Sequence, residues 1–383
     1  RSQARGLQPV PPAQVLGMPR DRSRSPSRLQ QGADRILGPG ERPAGLPRDL
    51  SEVSGPTGTG FLAPLLSGEA LARLALSAEQ VERFNADGFI GTEEPVLTAA
   101  QLEQLRADVD ALADPSKPHP DVDLLHELHY NEAKGSDTVL FHSLGHWRCA
   151  VSFHDIIHLD AVTLPASQLL QGRPVRFWHD QCFAKPGGHG AVVQWHQDYS
   201  YWDRTGPMAH LTVHIALDDQ TDENGALHWV PGSHRWTRSG GGPLPQAAQI
   251  ARDKMAVAKA TGGEELEAAS FSTDMDALYR DVLSDEQRAQ WAERPPKSLY
   301  LKAGHAAFHH ALCVHGSWGN RSAKPRRAVV LNFFAHGTRS CMDGVLMRGL
   351  PAVKKGEALG GRFHPVVFDT TRLDMSQVPV AAV

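Results

Sequence analysis

From Val175 onward the hydrophobic period is two, and no other feature limits the fold of this chain as strongly. Val175, Phe177, His179, Gln181, Phe183 and Lys185 alternate with Arg176, Trp178, Asp180, Cys182 and Ala184, and the run stops at Pro186-Gly187-Gly188. Successive strand residues point to opposite faces, so the segment reads as one long strand. His210 to Leu217 reads as a second, followed by Asp222-Glu223-Asn224-Gly225, where Asn-Gly favours a tight reversal. Ala226 to Val230, Ser298 to Lys302, Ala306 to His310 and Ala328 to Phe334 continue the pattern between short loops and turns such as Pro231-Gly232-Ser233. Many short strands with such turns indicate a β-sandwich or barrel.

Helices flank this region. Ser77-Ala78-Glu79-Gln80 and Thr98-Ala99-Ala100-Gln101 each fit the capping box, in which a hydroxyl N-cap and a Gln three residues on satisfy each other's backbone N–H. Asp87-Gly88-Phe89-Ile90 marks a turn into a short strand between them. Leu102, Leu105, Val109 and Leu112 line one helix face, expected to buttress the sheet. Residues 244–295 interrupt the strands with helix-like composition at Ala251 to Ala260 and Met275 to Trp291. They read as an insertion at the barrel mouth, a lid over substrate access.

Residues 1–72 show no sustained hydrophobic period and are rich in Arg, Ser, Pro and Gly. They are expected to be a disordered extension or an organelle-targeting segment. The folded domain is expected over 73–345, with 346–383 as a C-terminal extension packing on it or trailing away.

With 383 residues there is ample material for a buried core. The formal net charge of -4 gives no basic excess, which excludes a nucleic-acid partner. No run approaches the roughly 20 apolar residues of a membrane span. The four cysteines are scattered without Cys-x-x-Cys, so reduced thiols in a soluble intracellular protein are expected. The oligomeric state is not encoded in any motif. The expected partner is a small-molecule substrate.

The chemistry concentrates in Gln194-Trp195-His196-Gln197-Asp198-Tyr199 and Val314-His315-Gly316-Ser317. Two imidazoles and one carboxylate on one face of an ion are the facial triad of non-heme Fe(II) oxygenases, which leaves the opposite face open for oxygen and a second ligand. His-x-Asp suits a strand end, where residues two apart project alike, and the third ligand must arrive from a distant strand. Histidine is abundant at 20 residues, so context carries the assignment: each motif adjoins a strand and a loop. Arg326 opens a strand eleven residues after His315 and shares a face with Ala328 and Val330. A guanidinium fork binds both oxygens of a carboxylate, which suits the remote end of 2-oxoglutarate. Arg327 should face the other way, and Arg321 lies in the preceding loop.

In order along the chain, three groups of residues resemble the phytanoyl-CoA dioxygenase family over about residues 77–340: His196-Gln197-Asp198; Asn224-Gly225-Ala226-Leu227 with Val230-Pro231-Gly232-Ser233-His234; and His315-Gly316-Ser317 with Arg326. The resemblance implies a mainly β domain with flanking helices and a double-stranded β-helix core, the jelly-roll or cupin-like fold. It implies Fe(II) on His196, Asp198 and His315, and 2-oxoglutarate anchored by Arg326, with Gln181, His214 and Ser317 lining the co-substrate pocket. The implied reaction consumes O2, hydroxylates a small organic or acyl/lipid-like substrate, and releases succinate and CO2. Tyr199, Tyr201, Trp202 and His228 are the candidate substrate-pocket residues. The chain departs from the family in its longer 244–295 segment and in Gly304-His305. His305, His309 and His310 thereby add imidazoles near His315, expected to form wall or surface rather than to ligate. Two alternatives share the fold: a non-catalytic binding or sensor member, and a cupin-like metalloenzyme that does not use 2-oxoglutarate.

Overall fold

Period-two alternation becomes two antiparallel sheets in the computed structural model, which describes residues 37–382 apart from 39, 115, 118, 120, 133–137, 189–190 and 247–274. The strands of these two sheets are β1 (Phe89–Gly91), β2 (Glu127–Glu132), β3 (Thr138–Leu144), β4 (Val175–Lys185), β5 (Val193–His196) and β6 (His210–Ala216). They continue with β7 (Leu227–Trp229), β8 (Lys297–Ser298), β9 (Ala306–His310), β10 (His315–Ser317), β11 (Arg326–Ala335) and β12 (Val366–Phe368). The large sheet runs β1-β9-β6-β11-β4-β3-β2, with β12 also on β4, and the second runs β5-β10-β7-β8. This is the mainly β, jelly-roll core.

The central strands β6 and β11 of the large sheet divide their side chains between two environments. Leu211, Val213 and Ile215 of β6 and Val329, Leu331 and Phe333 of β11 join the helix-side core, all 1% exposed or less. Burying such a side chain is worth about 1.5–3 kcal/mol, so the helices hold this face firmly. The alternate residues face the second sheet, and the site lies there.

Helices α1 (Ala78–Asp87) and α2 (Ala99–Ala113) start with the two capping boxes indicated by the sequence, and Leu105 and Val109 of α2 are fully buried. Gly88 ends α1 at φ 83°, and a Cβ there would stand 2.4 Å from the His234 ring, so both conformation and space require glycine. Two further helices, α3 (Val151–Ile156) and α4 (Asp160–Leu169), are almost wholly buried. Their buried faces mix apolar residues with polar ones such as Ser152, Asp155, Thr163 and Gln168, so no apolar stripe of helical period marked them.

β4 departs from strict alternation. Asn332 pairs with His179 but Phe333 pairs with Phe177, which leaves Trp178 as an extra, bulged residue. The strand changes faces there. Val175 and Phe177 join Cys182 in the helix-side core, whereas Gln181 and Phe183 face the second sheet.

The extension expected over residues 1–72 is corrected over its described part, where Leu37 already packs with Leu50 and Val151. Leu50 is fully buried, Phe61 and Leu62 enter the main core, and Asp155 accepts from Thr57 N and Oγ1, each at 2.8 Å. Isolated apolar residues among Gly and Pro have no period to read, yet each fills a gap between elements. Residues 1–36 lie outside the described residues. At the other end, 346–382 add β12 to the large sheet and bury Leu346, Leu359 and Phe368.

Of the insertion expected over 244–295, residues 247–274 lie outside the described residues. Its described half forms α5 (Ala277–Asp281) and α6 (Asp285–Glu293), whose surroundings include Trp195, Val230, Trp236 and Val314. Trp291 meets Trp195 edge-on at 5.1 Å. Trp195 lies on the opposite strand face from His196, so residues 275–295 brace the back of the second sheet and do not cover the mouth. The helix expected at Ala251 to Ala260 lies outside the described residues. Among the described residues no helix is long and apolar enough to cross a membrane.

Candidate active site

Adjacent strands of the second sheet deliver the two histidines. His196 ends β5 and His315 begins β10, and the two are register partners. Each Nδ1 donates to the carbonyl two residues earlier, His196 to Gln194 at 2.7 Å and His315 to Cys313 at 2.9 Å. A carbonyl can only accept, so each Nδ1 carries the proton and each Nε2 presents a lone pair. Both Nε2 atoms point at Oδ1 of Asp198, at 3.4 and 3.5 Å. Ligand atoms of all three residues fall within 4.8 Å of one another, the one such cluster among the described residues. Cis ligands of an ion bound at about 2.1 Å stand ~3 Å apart, so small rotations close this set on a metal. The donor set of two neutral imidazoles and a carboxylate fits Fe(II).

Burial opposes ionisation of Asp198, but His315, His196 and His309 outweigh it and hold the carboxyl well below the usual range. Burial pushes the His315 imidazolium well below the ordinary histidine value, the direction that favours the neutral ring a metal requires. Oδ2 of Asp198 is already engaged, accepting from Thr212 Oγ1 at 2.6 Å and lying 3.0 Å from His309 Nε2. His309 therefore lines the site wall, within the expectation for the extra imidazoles, while Thr212 carried no signal in the sequence.

Between His196 and Asp198, Gln197 is buried and ties the turn in place. Its Nε2 donates to Trp236 O at 3.1 Å and Leu312 O at 2.8 Å, and its Oε1 accepts from Leu244 N at 2.7 Å. Gln197→Leu strands these three backbone groups, and unsatisfied buried polar groups cost about 1–3 kcal/mol. A loss of that size is expected in urea unfolding; an unchanged midpoint would show that the turn holds itself.

Arg326 lines the same pocket, and a second buried basic side chain, Lys185, lies beside it behind Ser317. Arg326 is 2% exposed and Lys185 fully buried, and they are cross-strand partners. Arg326 Nη2 donates to Gly225 O at 2.7 Å and lies 3.4 Å from Ser317 Oγ, while its Nε is buried without a partner. Lys185 Nζ donates to Ser317 Oγ at 2.6 Å and Trp318 O at 2.7 Å. Burial, with Arg326 alongside, lowers the Lys185 ammonium well below its ordinary value, and burial brings Arg326 down to about 10. Neither forms an ion pair with a carboxylate among the described residues. Like charges paired across strands are unfavourable, as are buried charges without counter-ions. Lys185 was not singled out in the sequence, because its pairing with Arg326 depends on strand register.

Gln181, His214 and Ser317 line this pocket with Phe183, Val330 and Arg326. Gln181 Oε1 accepts from His142 at 3.1 Å, and Gln220 Nε2 donates to His214 Nε2 at 2.7 Å. Burial, then Arg326, keep His214 well below the ordinary histidine value, hence neutral. Arg327 faces away, forked onto Asp218 at 2.9 and 2.7 Å and reaching Asp110 at 2.7 Å, and Arg321 is exposed.

Of the four substrate-pocket candidates, the structure brings one to the cluster. Tyr201 is 47% exposed and meets the His196 ring edge-on at 5.8 Å. Tyr199 and Trp202 pack with Trp178 and Phe334 instead, and Tyr199 donates to the Thr205 carbonyl. His228 stands on the other face of β7 from the pocket residue Leu227, against Trp318 at 4.9 Å and Asp222 at 3.2 Å. These three are corrected to packing and outer-face positions. Without strand parity in space, aromatic residues beside a ligand motif look alike.

A jelly roll with this cluster at its centre belongs to the 2-oxoglutarate-dependent dioxygenases, oxidoreductases that use iron. More particularly, the chain belongs to the phytanoyl-CoA dioxygenase (PhyH) family, whose profile matches residues 84–328. It is similar to the ectoine dioxygenase of Streptomyces avermitilis, 26% identical over 337 residues, covering 83% of this chain and 96% of that one. The L-proline trans-4-hydroxylase of Streptomyces griseoviridis is 32% identical over 180 residues, 46% of this chain and 60% of that protein. In fold it resembles the epimerase SnoN in complex with Fe3+, alpha ketoglutarate and nogalamycin RO, with TM-score 0.54, 18% identity and coverage of 78% of this chain and 99% of that one. EctD from S. alaskensis with 2-oxoglutarate and 5-hydroxyectoine gives TM-score 0.50 at 21% identity, over 69% of this chain and 78% of that one.

Proposed function

We propose that this protein hydroxylates a small organic substrate in an Fe(II)- and 2-oxoglutarate-dependent reaction that consumes O2 and releases succinate and CO2. The observation that carries the reading is Arg326, buried without an acidic partner among the described residues, lining the same pocket as the His196-Asp198-His315 cluster with Lys185 as its cross-strand neighbour. A dicarboxylate bridges two such sites: one carboxylate neutralises the cations while the other end reaches the metal. Relatives named for ectoine and L-proline support a small organic substrate over an acyl or lipid-like one.

His196, Asp198 and His315 would hold the iron. When bound, iron supplies the dioxygen chemistry that couples decarboxylation of the 2-oxo acid to oxidation of the substrate. The protein's own residues bind and orient. Arg326 forks onto the distal carboxylate, and Lys185, steered by Ser317, gives it a second cation. An anion there favours the charged forms that burial disfavours. His214 and Gln181 offer hydrogen bonds without charge, and Phe183, Leu227 and Val330 exclude water from the pocket. Tyr201 borders the side from which the substrate approaches.

Anaerobic titration should find one Fe(II) per chain, and aerobic incubation with 2-oxoglutarate should release succinate, faster with the true substrate in a metabolite screen. Iron binding without any 2-oxoglutarate consumption across the screen would replace this reading with a metalloenzyme of other chemistry.

A further inference from the structure

We infer that a row of buried polar side chains across the large sheet, ending in Thr212 and His309, selects which oxygen of Asp198 faces the metal. The inference rests on the metal-centre reading above and extends it to residues outside the ligand set. His309 pairs in register with Thr212, Thr212 with Asn332, and Asn332 with His179, so β9, β6, β11 and β4 each contribute one residue at the same level. All four are 3% exposed or less. The bulge at Trp178 brings His179 onto this face.

Asp198 sits over the His309 end of the row. Thr212 has one hydroxyl proton and two acceptors in reach, Asp198 Oδ2 at 2.6 Å and Asn332 Oδ1 at 3.1 Å. The shorter bond to the ionised oxygen wins, because charge-assisted hydrogen bonds are roughly twice as strong as neutral ones. His309 Nε2 lies 3.0 Å from the same oxygen, and a carboxylate only accepts, so this nitrogen carries the proton. His309 Nδ1 is buried and has no partner, so the ring acts through one nitrogen. Two donors thus occupy Oδ2. Oδ1 meets the unprotonated Nε2 atoms of His196 and His315 and is left as the single metal-facing oxygen. His309 is not itself a member of the ligand cluster. Its neighbour His310 turns to the opposite face, against Phe84 and His234. His309 and Thr212 are therefore positioning residues that act on the metal through Asp198.

The test titrates Fe(II) anaerobically into metal-free protein and into His309→Phe, His309→Gln, Thr212→Val, Thr212→Ser and Asp198→Ala. Calorimetry gives dissociation constants, the visible charge-transfer band of the Fe(II)–2-oxoglutarate complex reports coordination, and metal-free unfolding temperatures report the fold. Loss of a partner that orients a ligand typically weakens metal binding about 10–100-fold. That loss, with a shifted band, is expected for His309→Phe and Thr212→Val, with substantial recovery in His309→Gln and Thr212→Ser and little change in metal-free unfolding. Unchanged iron affinity in His309→Phe and Thr212→Val overturns the inference, leaving both as wall residues. Loss as complete in His309→Phe as in Asp198→Ala also overturns it, by making His309 a ligand. If unmodified protein binds no Fe(II), the metal-centre reading itself fails, a distinguishable result.

Discussion

Asp198→Ala is expected to abolish stoichiometric Fe(II) binding and all succinate release while the protein stays folded. In the proposed metal set Asp198 would contribute the one anionic ligand, and the imidazoles that remain, at 3.4 and 3.5 Å from its Oδ1, would close no facial set without it. The affinity loss should exceed the roughly 10–100-fold typical of an outer-sphere partner, because a ligand itself is removed. The fold should survive, since the helix-side core of β6 and β11 does not involve Asp198. Thr212 retains Asn332 as an alternative acceptor, whereas His309 Nε2 loses its acceptor, at a cost of about 1–3 kcal/mol for one buried donor. Iron titration alongside circular dichroism decides it. A variant that binds iron and turns over at the unmodified rate removes Asp198 from the ligand set.

Arg326→Ala should separate the co-substrate from the metal. Truncating one member of a buried, hydrogen-bonded charge pair costs about 2–5 kcal/mol. That corresponds to about thirty-fold to a few thousand-fold in affinity. The 2-oxoglutarate requirement should rise at least by the lower bound, with Fe(II) binding close to normal. Arg326→Lys should recover little, because an ammonium lacks the two-pronged geometry. Arg327→Ala should shift the requirement by a few-fold at most, since that side chain engages Asp218 and Asp110 on the opposite face. The ligand-free protein offers an independent check. Arg326 is buried beside Lys185 with Nε unpartnered, an arrangement that favours anion binding and works against stability. Arg326→Met should therefore unfold at the same or a higher temperature than the unmodified protein without 2-oxoglutarate. A crippled Arg327→Ala beside a normal Arg326→Ala would move the anchor to the other strand face.

The sequence by itself determined the mainly β class, the two capped helices and the separation of Arg326 from Arg327. It also singled out His196, Asp198 and His315, which the fold gathers within 4.8 Å. Such features are legible because a metal and a dicarboxylate demand particular residue types at short spacings, and because caps are local hydrogen-bond patterns. Tertiary structure decided what depends on register. A shift of one residue turns a strand's side chains to the other face, so neither the bulge at Trp178 nor the choice of His309 over His310 is written in composition. Lys185 meets Arg326, 141 residues away, and Thr212 meets Asp198, 14 residues away, only when the strands align. Packing likewise withdrew Tyr199, Trp202 and His228 from the pocket and set Met275 to Trp291 against the back of the second sheet. An aromatic residue buries equally well on either face of a strand, and only the neighbours it meets in space decide which.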